Sequence, residues 1–518
     1  MHILSIDLGS SGPKVALVGR DGSVAARAAR AVETHAIGAD GSEQQPDDIW
    51  SAVTGACEAV LGEAGVSADS VVGVVCESQY FSIIPVDRDG RALMGCVMWS
   101  DQRGAPHALE FHGRTPDAMA RWISTHGMPP LPSGNDSLSH IWFIQKERPD
   151  VYERTHAFVE PMDYLIGRLT GVIAANACTV FPLLVTDNRD IDDVHYDEGL
   201  IAAAGIDAEK LPPLLPVSEC VGTIRPDVAR QLGLRSDTKV YAGMNDTQAV
   251  AVGIGTFRPG VAGVNIGTTT QVLADVDSMR TDAVSAVVGM PSAIPGRYTA
   301  MAENGLGGKL LEHFVLGIIF SQDAFADHST DDAYAQVEQV VAGEEAGSGG
   351  LLFLPWLAGS QSPVMDPNAR GGFLNMSLAT TRTQMLRAVV EGVSYNMRWT
   401  LPAVERCCER SFDELRFSGG GAVSDVWSQI MADVMARPVL QVDDARYLNT
   451  RACAFLGFHH AGVVDLDEIE SFCPIRRRYE PDPVRVDLYG AMFEQFLAAF
   501  EQNRPIFDAL NGGGHGAR

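Results

Sequence analysis

Asp7, Gly9, Ser10, Ser11 and Lys14 stand together in the stretch "IDLGSSGPK". A turn of glycine and hydroxyl residues between two apolar runs points several backbone N–H groups into one concavity, with no Cβ to keep an anion away. Phosphate is the natural occupant. Lys14 could bring a positive charge to a phosphoryl oxygen, and Asp7 could hold Mg²⁺ through water. Taken alone, the same turn reads as a tight hairpin with a capping aspartate.

The phrase recurs in "VNIGTTTQVLADVD", where Asp7 falls on Asn265, Gly9 on Gly267, Ser10 on Thr268, Ser11 on Thr269 and Gly12 on Thr270, each 258 positions on. A separation of about half the chain favours duplication over chance likeness, with two turns facing each other across a cleft and holding a polyphosphate from both sides. A third phrase, "YAGMNDTQAVAVGIG", sets Asp246 between a Gly-Met-Asn turn and a helix of small residues. It reads either as an N-cap or as a carboxylate that accepts a proton from an attacking hydroxyl. In a fourth, "LRFSGGGAVSDVWSQIMADVMARPV", a strand runs into Gly419–Gly421 and then a helix. Such backbone can accept a flat ring or a ribose, or can simply crowd a strand-to-helix corner.

Other chemistries find little support. There is no GxxxxGK[ST], no GxGxxG between strand and helix, no GxSxG and no HExxH. His459–His460 lacks a third ligand. The nine cysteines form no CxxC, and adjacent Cys407–Cys408 reads as helix filler, so reduced intracellular thiols are expected.

The elements that must position these residues alternate. The opening "MHILSIDLG", "PKVALVG" and "RDGS" read as a hairpin and a second turn. "QQPDDIWSAVTGACEAVLGEAG" has helical spacing with Pro at its entry and Gly at its exit, "SVVGVVCES" suits a strand buried on both faces, and "SLSHIWFIQKERPDVYERT" reads as one helix. The class is therefore α/β with helix-covered sheets. "VVAGEEAGSGG" reads as a surface connection, and "NGGGHGAR" as a frayed tail. A chain of 518 residues with 46% hydrophobic residues has room for a large core and two to four domains, and 66 acidic against 39 basic residues, a formal charge of −27, argue against nucleic acid and anionic membranes as partners. No apolar run reaches spanning length and no basic leader precedes the first strand, so a cytoplasmic protein acting on small molecules is expected.

In this order the four phrases resemble the FGGY family of carbohydrate kinases, over nearly the whole chain. The resemblance implies two actin-like (ribonuclease H-like) domains of the sugar kinase/heat-shock/actin superfamily with an interdomain cleft: residues 1–250, residues 251–510, and a tail at 511–518. It implies ATP and Mg²⁺ as cofactors. Gly9, Ser10, Ser11 and Lys14 would meet the phosphates with Asp7 near the metal; Gly267, Thr268 and Thr269 form the second phosphate turn. Gly420, Gly421, Ser424 and Asp425 match the adenosine segment, and "ENGLGG" with Gly305 another stretch of the nucleotide site. Asp246, in "GMNDTQAVAVG", matches the family's base and lies near the metal. "DPNARGGFLNMSLATTRTQMLRAVVEGVSYNMR" resembles its C-terminal signature, with Arg387, Glu391 and Gly392 in place.

Within the family, "MDPNARGGF" and the "GGGA" phrase look most like the xylulokinase branch. The sugar side departs: in "CESQYFSII", Gln79, Tyr80 and Phe81 match neither the Met-His pair of typical xylulokinases nor the Arg-Glu pair of typical glycerol kinases. An aromatic pair would stack on a sugar face or an apolar group. In "MWSDQR", Trp99, Asp101 and Arg103 either shape the sugar pocket or lock a core corner. Pro13 removes a donor from the first turn, and Ser360 and Gln361 in "LAGSQSP" replace a charged pair. The expected activity is ATP-dependent phosphorylation of a small sugar or polyol. Three alternatives remain: a catalytically silent sensor of the same fold, a kinase for another polyol such as glycerol or ribulose, and a chaperone-like ATPase, for which no peptide-binding domain is readable. The resemblance leaves a homodimer open.

Overall fold

The computed structural model describes residues 1–115, 118–319 and 333–512. Most of the tail expected at 511–518 lies outside them. Two mixed sheets dominate. The first contains β1 (His2–Gly9), β2 (Gly12–Gly19), β3 (Val24–Ala29), β4 (Val71–Ser78), β5 (Cys220–Thr223), β6 (Lys239–Tyr241) and the short β7 (Met244–Asn245). The second contains β8 (Ala262–Ile266), β9 (Thr269–Val276), β10 (Val287–Pro291), β11 (Tyr298–Leu306), β12 (Leu415–Ser418), β13 (Val439–Val442) and β14 (Ile475–Tyr479).

Their orders correspond. The first runs β5-β6-β4-β1-β2-β3 and the second β14-β13-β12-β8-β9-β11, with β10 beyond. Each path has antiparallel, parallel, parallel, antiparallel and antiparallel ladders in turn. The repeat read from two turns thus extends to six strands. One detail differs. Asp7 pairs with Lys14, whereas Asn265 pairs with Gln271, one residue closer. The counterpart of Lys14 is therefore Gln271, and the offset of 258 holds only up to the turn.

β4 is central, with β1 and β6 parallel on its two sides, and its apolar run is buried as a strand covered on both faces must be. Helix α1 (Pro46–Ala64) starts on its proline and stops at Gly65 in the left-handed region. The single helix expected at Ser137 is broken: Ser137–Glu147 and Pro149–Arg154 are separate, because Pro149 pushes Arg148 out of helical geometry.

α2 (Asp246–Ile254), α3 (Arg382–Cys408), α4 (Asp425–Met435), α5 (Leu448–His460) and α6 (Pro483–Asn511) complete the frame. α5 packs on α2, β1 and β4, so a helix from the second half of the chain covers the first sheet, and α2 straddles the boundary expected at residue 250. The apolar cluster between the sheets takes Ile3, Ala16 and Val75 from one, Leu273, Met290 and Met301 from the other, and both helices. The Gly-Glu-Ala connection is also more than a surface link, since Ser348 is buried and Glu391 accepts from Gly347 N and Ser348 Oγ. All nine cysteines are free, and no described helix is long and apolar enough to cross a membrane.

Candidate active site

The carboxyl ends of β1, β4 and β7 bring three acids together. Asp7 pairs with Glu77, Glu77 with Met244, and Asp246 follows two residues beyond Met244. In open α/β sheets ligands bind outside these strand ends. Lys14 Nζ lies 2.6 Å from Asp7 Oδ2. Burial works against the ammonium, but Asp7, with Glu77 and Tyr447, outweighs it and raises the lysine's pKa. Burial, with Asp7 beside it, holds the Glu77 carboxyl well above the ordinary range, and its Oε2 is buried without a partner.

Asp246 is the first residue of α2, not its cap; Asn245 occupies that place and spends its amide on Cys178 O. Asp246 Oδ1 accepts from Thr247 N at 2.7 Å, while Oδ2 makes no hydrogen bond among the described residues. Burial, aided by Asp7, pushes its pKa up to about 7. Such a carboxylate can accept a proton near neutrality.

The two turns expected to hold phosphate take shape as hairpin tips. Ser11 and Thr268 are exposed, with Gly9, Ser10, Gly267 and Thr269 partly so. Gly12 is required at φ +120°, where a Cβ would meet Arg30 O at 2.2 Å. Ser10 Oγ accepts from Trp99 Nε1 at 2.9 Å, which leaves the hydroxyl proton for an oxygen in the cleft. The second tip is pinned by Gly307 N on Thr268 O and Gly308 N on Gly267 O, at 3.0 and 2.7 Å. Thus "ENGLGG" serves this turn, with Gly305 at φ +68° beside it.

The glycine corner is a crowded strand-to-helix turn with one open glycine. Gly419 and Gly421 are packing glycines, since a Cβ on either would strike Ile266, at 2.5 Å from its carbonyl in the case of Gly419; Gly420 is exposed. Ser424 caps α4 and donates to Glu338, which also accepts from Val426 N. The Asp425 carboxylate is held by Gln441 at 3.0 Å and by Arg476, so it faces β13 and β14.

On the substrate side, Tyr80 and Phe81 stack with ring centroids 4.5 Å apart. Phe81 has φ +59°, an outlier for a bulky residue that marks stored strain. Gln79 is buried, with its Nε2 on Met98 Sδ and its Oε1 unpartnered. Ser82 braces this turn by donating its N–H to Glu160 and accepting from Trp99 N. Of the two readings of "MWSDQR", the core corner describes Asp101 and Arg103. Asp101 is fully buried, with Ser42 N and Arg103 on its oxygens, and Arg103 continues to Glu43. Trp99 is the member that reaches the first hairpin turn, through Ser10.

Glu303, opposite Gln271 on β11, opens the phrase "ENGLGG" but was not singled out in the sequence. Burial, with Asp246 adding to it, pushes its pKa up to about 7. Among the described residues no three His, Cys, Asp or Glu side chains form a metal cluster. The donor set fits Mg²⁺, which is ordinarily held by one or two carboxylates, water and substrate phosphates.

The N-terminal domain of the FGGY family of carbohydrate kinases matches residues 2–253 and its C-terminal domain residues 262–447. A xylulose kinase of Bacillus subtilis (strain 168) is 25% identical over 510 residues, 98% of each chain. A gluconokinase of the same organism is 23% identical over 507 residues, 96% of this chain and 95% of that one. The solved structure of a ligand-bound xylulose kinase from Lactobacillus acidophilus aligns with a TM-score of 0.85 at 21% identity, covering 98% of this chain and 100% of that one.

Proposed function

The chain belongs to the FGGY family of carbohydrate kinases, and from that premise we propose that it transfers the γ-phosphoryl group of ATP to a hydroxyl of a small sugar or polyol, with Asp246 as general base. The carbohydrate kinase activity and ATP as donor come with the family; the acceptor, the metal and the residue roles are this reading. The observation that carries it is the Asp246 carboxylate at the strand ends, one oxygen fixed by Thr247 N and the other unbonded, with a pKa of about 7.

Phosphoryl transfer leaves a protein mainly positioning and charge neutralisation to perform. The backbone and hydroxyls of Gly9, Ser10, Ser11, Gly267, Thr268 and Thr269 would hold the phosphates from two sides. Lys14 would add its charge to a phosphoryl oxygen, and Gly420 and Ser424 would border the adenosine. Mg²⁺, held by Asp7 through water and near Asp246, supplies charge neutralisation when bound. Asp246 Oδ2 would take the proton of the attacking hydroxyl, and closure of the two sheets would exclude water.

Relatives named xylulose kinase support a ketose acceptor. The strained Tyr80–Phe81 stack favours a different one, with an apolar face or substituent that the rings cover. The test is ADP release from Mg²⁺-ATP across ketoses, aldoses, polyols and less polar sugar-like alcohols, with Asp246→Asn as control. One compound should stimulate release, and the variant should lose at least about a hundredfold of that turnover while still binding ATP. Unchanged turnover in Asp246→Asn would remove the base.

A further inference from the structure

Gln271 leaves the second sheet to reach the turn that carries Asp246. Its Nε2 donates to Thr247 Oγ at 3.1 Å. Thr247 supplies the backbone N–H on Asp246 Oδ1, and its hydroxyl lies 3.5 Å from the same oxygen. Behind Gln271 the bonds continue in one sense: Ser418 Oγ donates to Asn265 Oδ1 at 3.1 Å, and Asn265 Nδ2 donates to Gln271 Oε1 at 3.3 Å. Every step from β12 to α2 is thus a donor aimed toward Asp246. Because Thr247 Oγ accepts from Gln271, its own proton is free to turn to the carboxylate.

These groups are buried: Ser418 is 0%, Thr247 1%, Gln271 7% and Asn265 9% exposed. Buried polar groups in a satisfied chain are held in one arrangement, and a missing member leaves its neighbours unpaired. The pair Asn265–Gln271 is also the register counterpart of Asp7–Lys14. In the first sheet that position carries an ion pair at the phosphate turn, and in the second a neutral amide pair that ends beside Asp246.

We propose that Gln271 is a positioning residue for Asp246, tying the second phosphate turn to the first turn of α2 so that the phosphate site and the base are set as one unit. The proposal rests on the reading of Asp246 as base. It predicts a defect in turnover with nucleotide binding preserved, because the bond ends at the base and not at a nucleotide contact.

The experiment is a double-mutant cycle on the full chain with Gln271→Met, which keeps shape and removes the amide, and Thr247→Val, which removes the hydroxyl from the helix side. Steady-state kcat, KM for ATP and thermal midpoint are measured with the acceptor that best stimulates the wild type. Each single variant should lower kcat about tenfold with KM for ATP within about twofold. The double variant should be no slower than the slower single one, since both cut the same bond. Losses that multiply in the double variant, or wild-type kcat in Gln271→Met beside an inactive Asp246→Asn, would overturn the proposal and leave the base in place. Wild-type turnover in Asp246→Asn would bring down both. If Gln271→Met does not fold, the same kcat-against-KM split in Thr247→Val decides.

Discussion

Lys14 and Asp7 face each other across the first hairpin, ammonium on carboxylate at 2.6 Å, with the lysine 40% and the aspartate 4% exposed. The lysine stands at the open side of the pair. A polyphosphate arriving at the turn would meet its free donors, since an ammonium has three and Asp7 takes one.

Lys14→Ala should therefore weaken nucleotide binding more than chemistry. A hydrogen bond to a charged group contributes about 1.5–3 kcal/mol, which sets the rise in KM for Mg²⁺-ATP at roughly ten- to a hundredfold. Steady-state kinetics with saturating acceptor would read it. An unchanged KM for ATP would place the lysine outside the phosphate site.

The carboxyl of Asp246 must be ionised to accept a proton. With its pKa at about 7, kcat/KM for the acceptor should fall as pH drops through that value. Asp246 raises the pKa of Glu303, and such coupling is mutual, so Glu303→Gln should move the midpoint of this limb to lower pH. A profile that stays flat over roughly pH 6 to 8 would contradict the assignment.

The hairpin repeat was legible because small and hydroxyl residues at a tight turn leave a compositional mark that apolar strands frame. The one-residue difference in register beyond the turn was not, because it lies in how each hairpin closes: Gly9 pairs with Gly12, whereas Ile266 pairs with Thr270. Asp246 could be picked out as a residue, yet its distinction from an N-cap depended on which residue leaves helical geometry, and it is Asn245, at φ −85° and ψ 162°, that does. Glu77 and Glu303 escaped notice because each joins the site through cross-strand pairing between segments far apart in sequence. Asp101 shows what a phrase alone leaves open: it read either as part of a sugar pocket or as a core corner, and only its buried ion pair with Arg103 shows it held inside.

The Arg387–Glu391 pair on α3 should prove structural. The two side chains are 5% and 1% exposed, and Glu391 also accepts from Tyr489 OH on α6 and from Gly347 and Ser348. Glu391→Ala leaves a buried guanidinium without its counter-ion, a loss of about 3–5 kcal/mol. Denaturant unfolding would measure it. A variant as stable as the wild type would mean that this network does not anchor α6.

Asp246→Asn should melt higher than the wild type at pH 8. The folded state holds the carboxyl at about 7 against an ordinary 3.8, so the native protein binds that proton more tightly than the unfolded chain does. Stability then falls as pH rises from about 4 to about 7, and the full cost persists above, where a charge sits in a site that disfavours it. Asparagine carries no charge and escapes that cost, which makes the difference in thermal midpoint between variant and wild type largest at pH 8 and smaller at pH 5. Calorimetry at the two values would read it, and a variant that melts below the wild type at pH 8 would show that Asp246 is not held against its ionisation. A proton acceptor kept ionised at the expense of the fold is what a general base in a partly dry cleft demands.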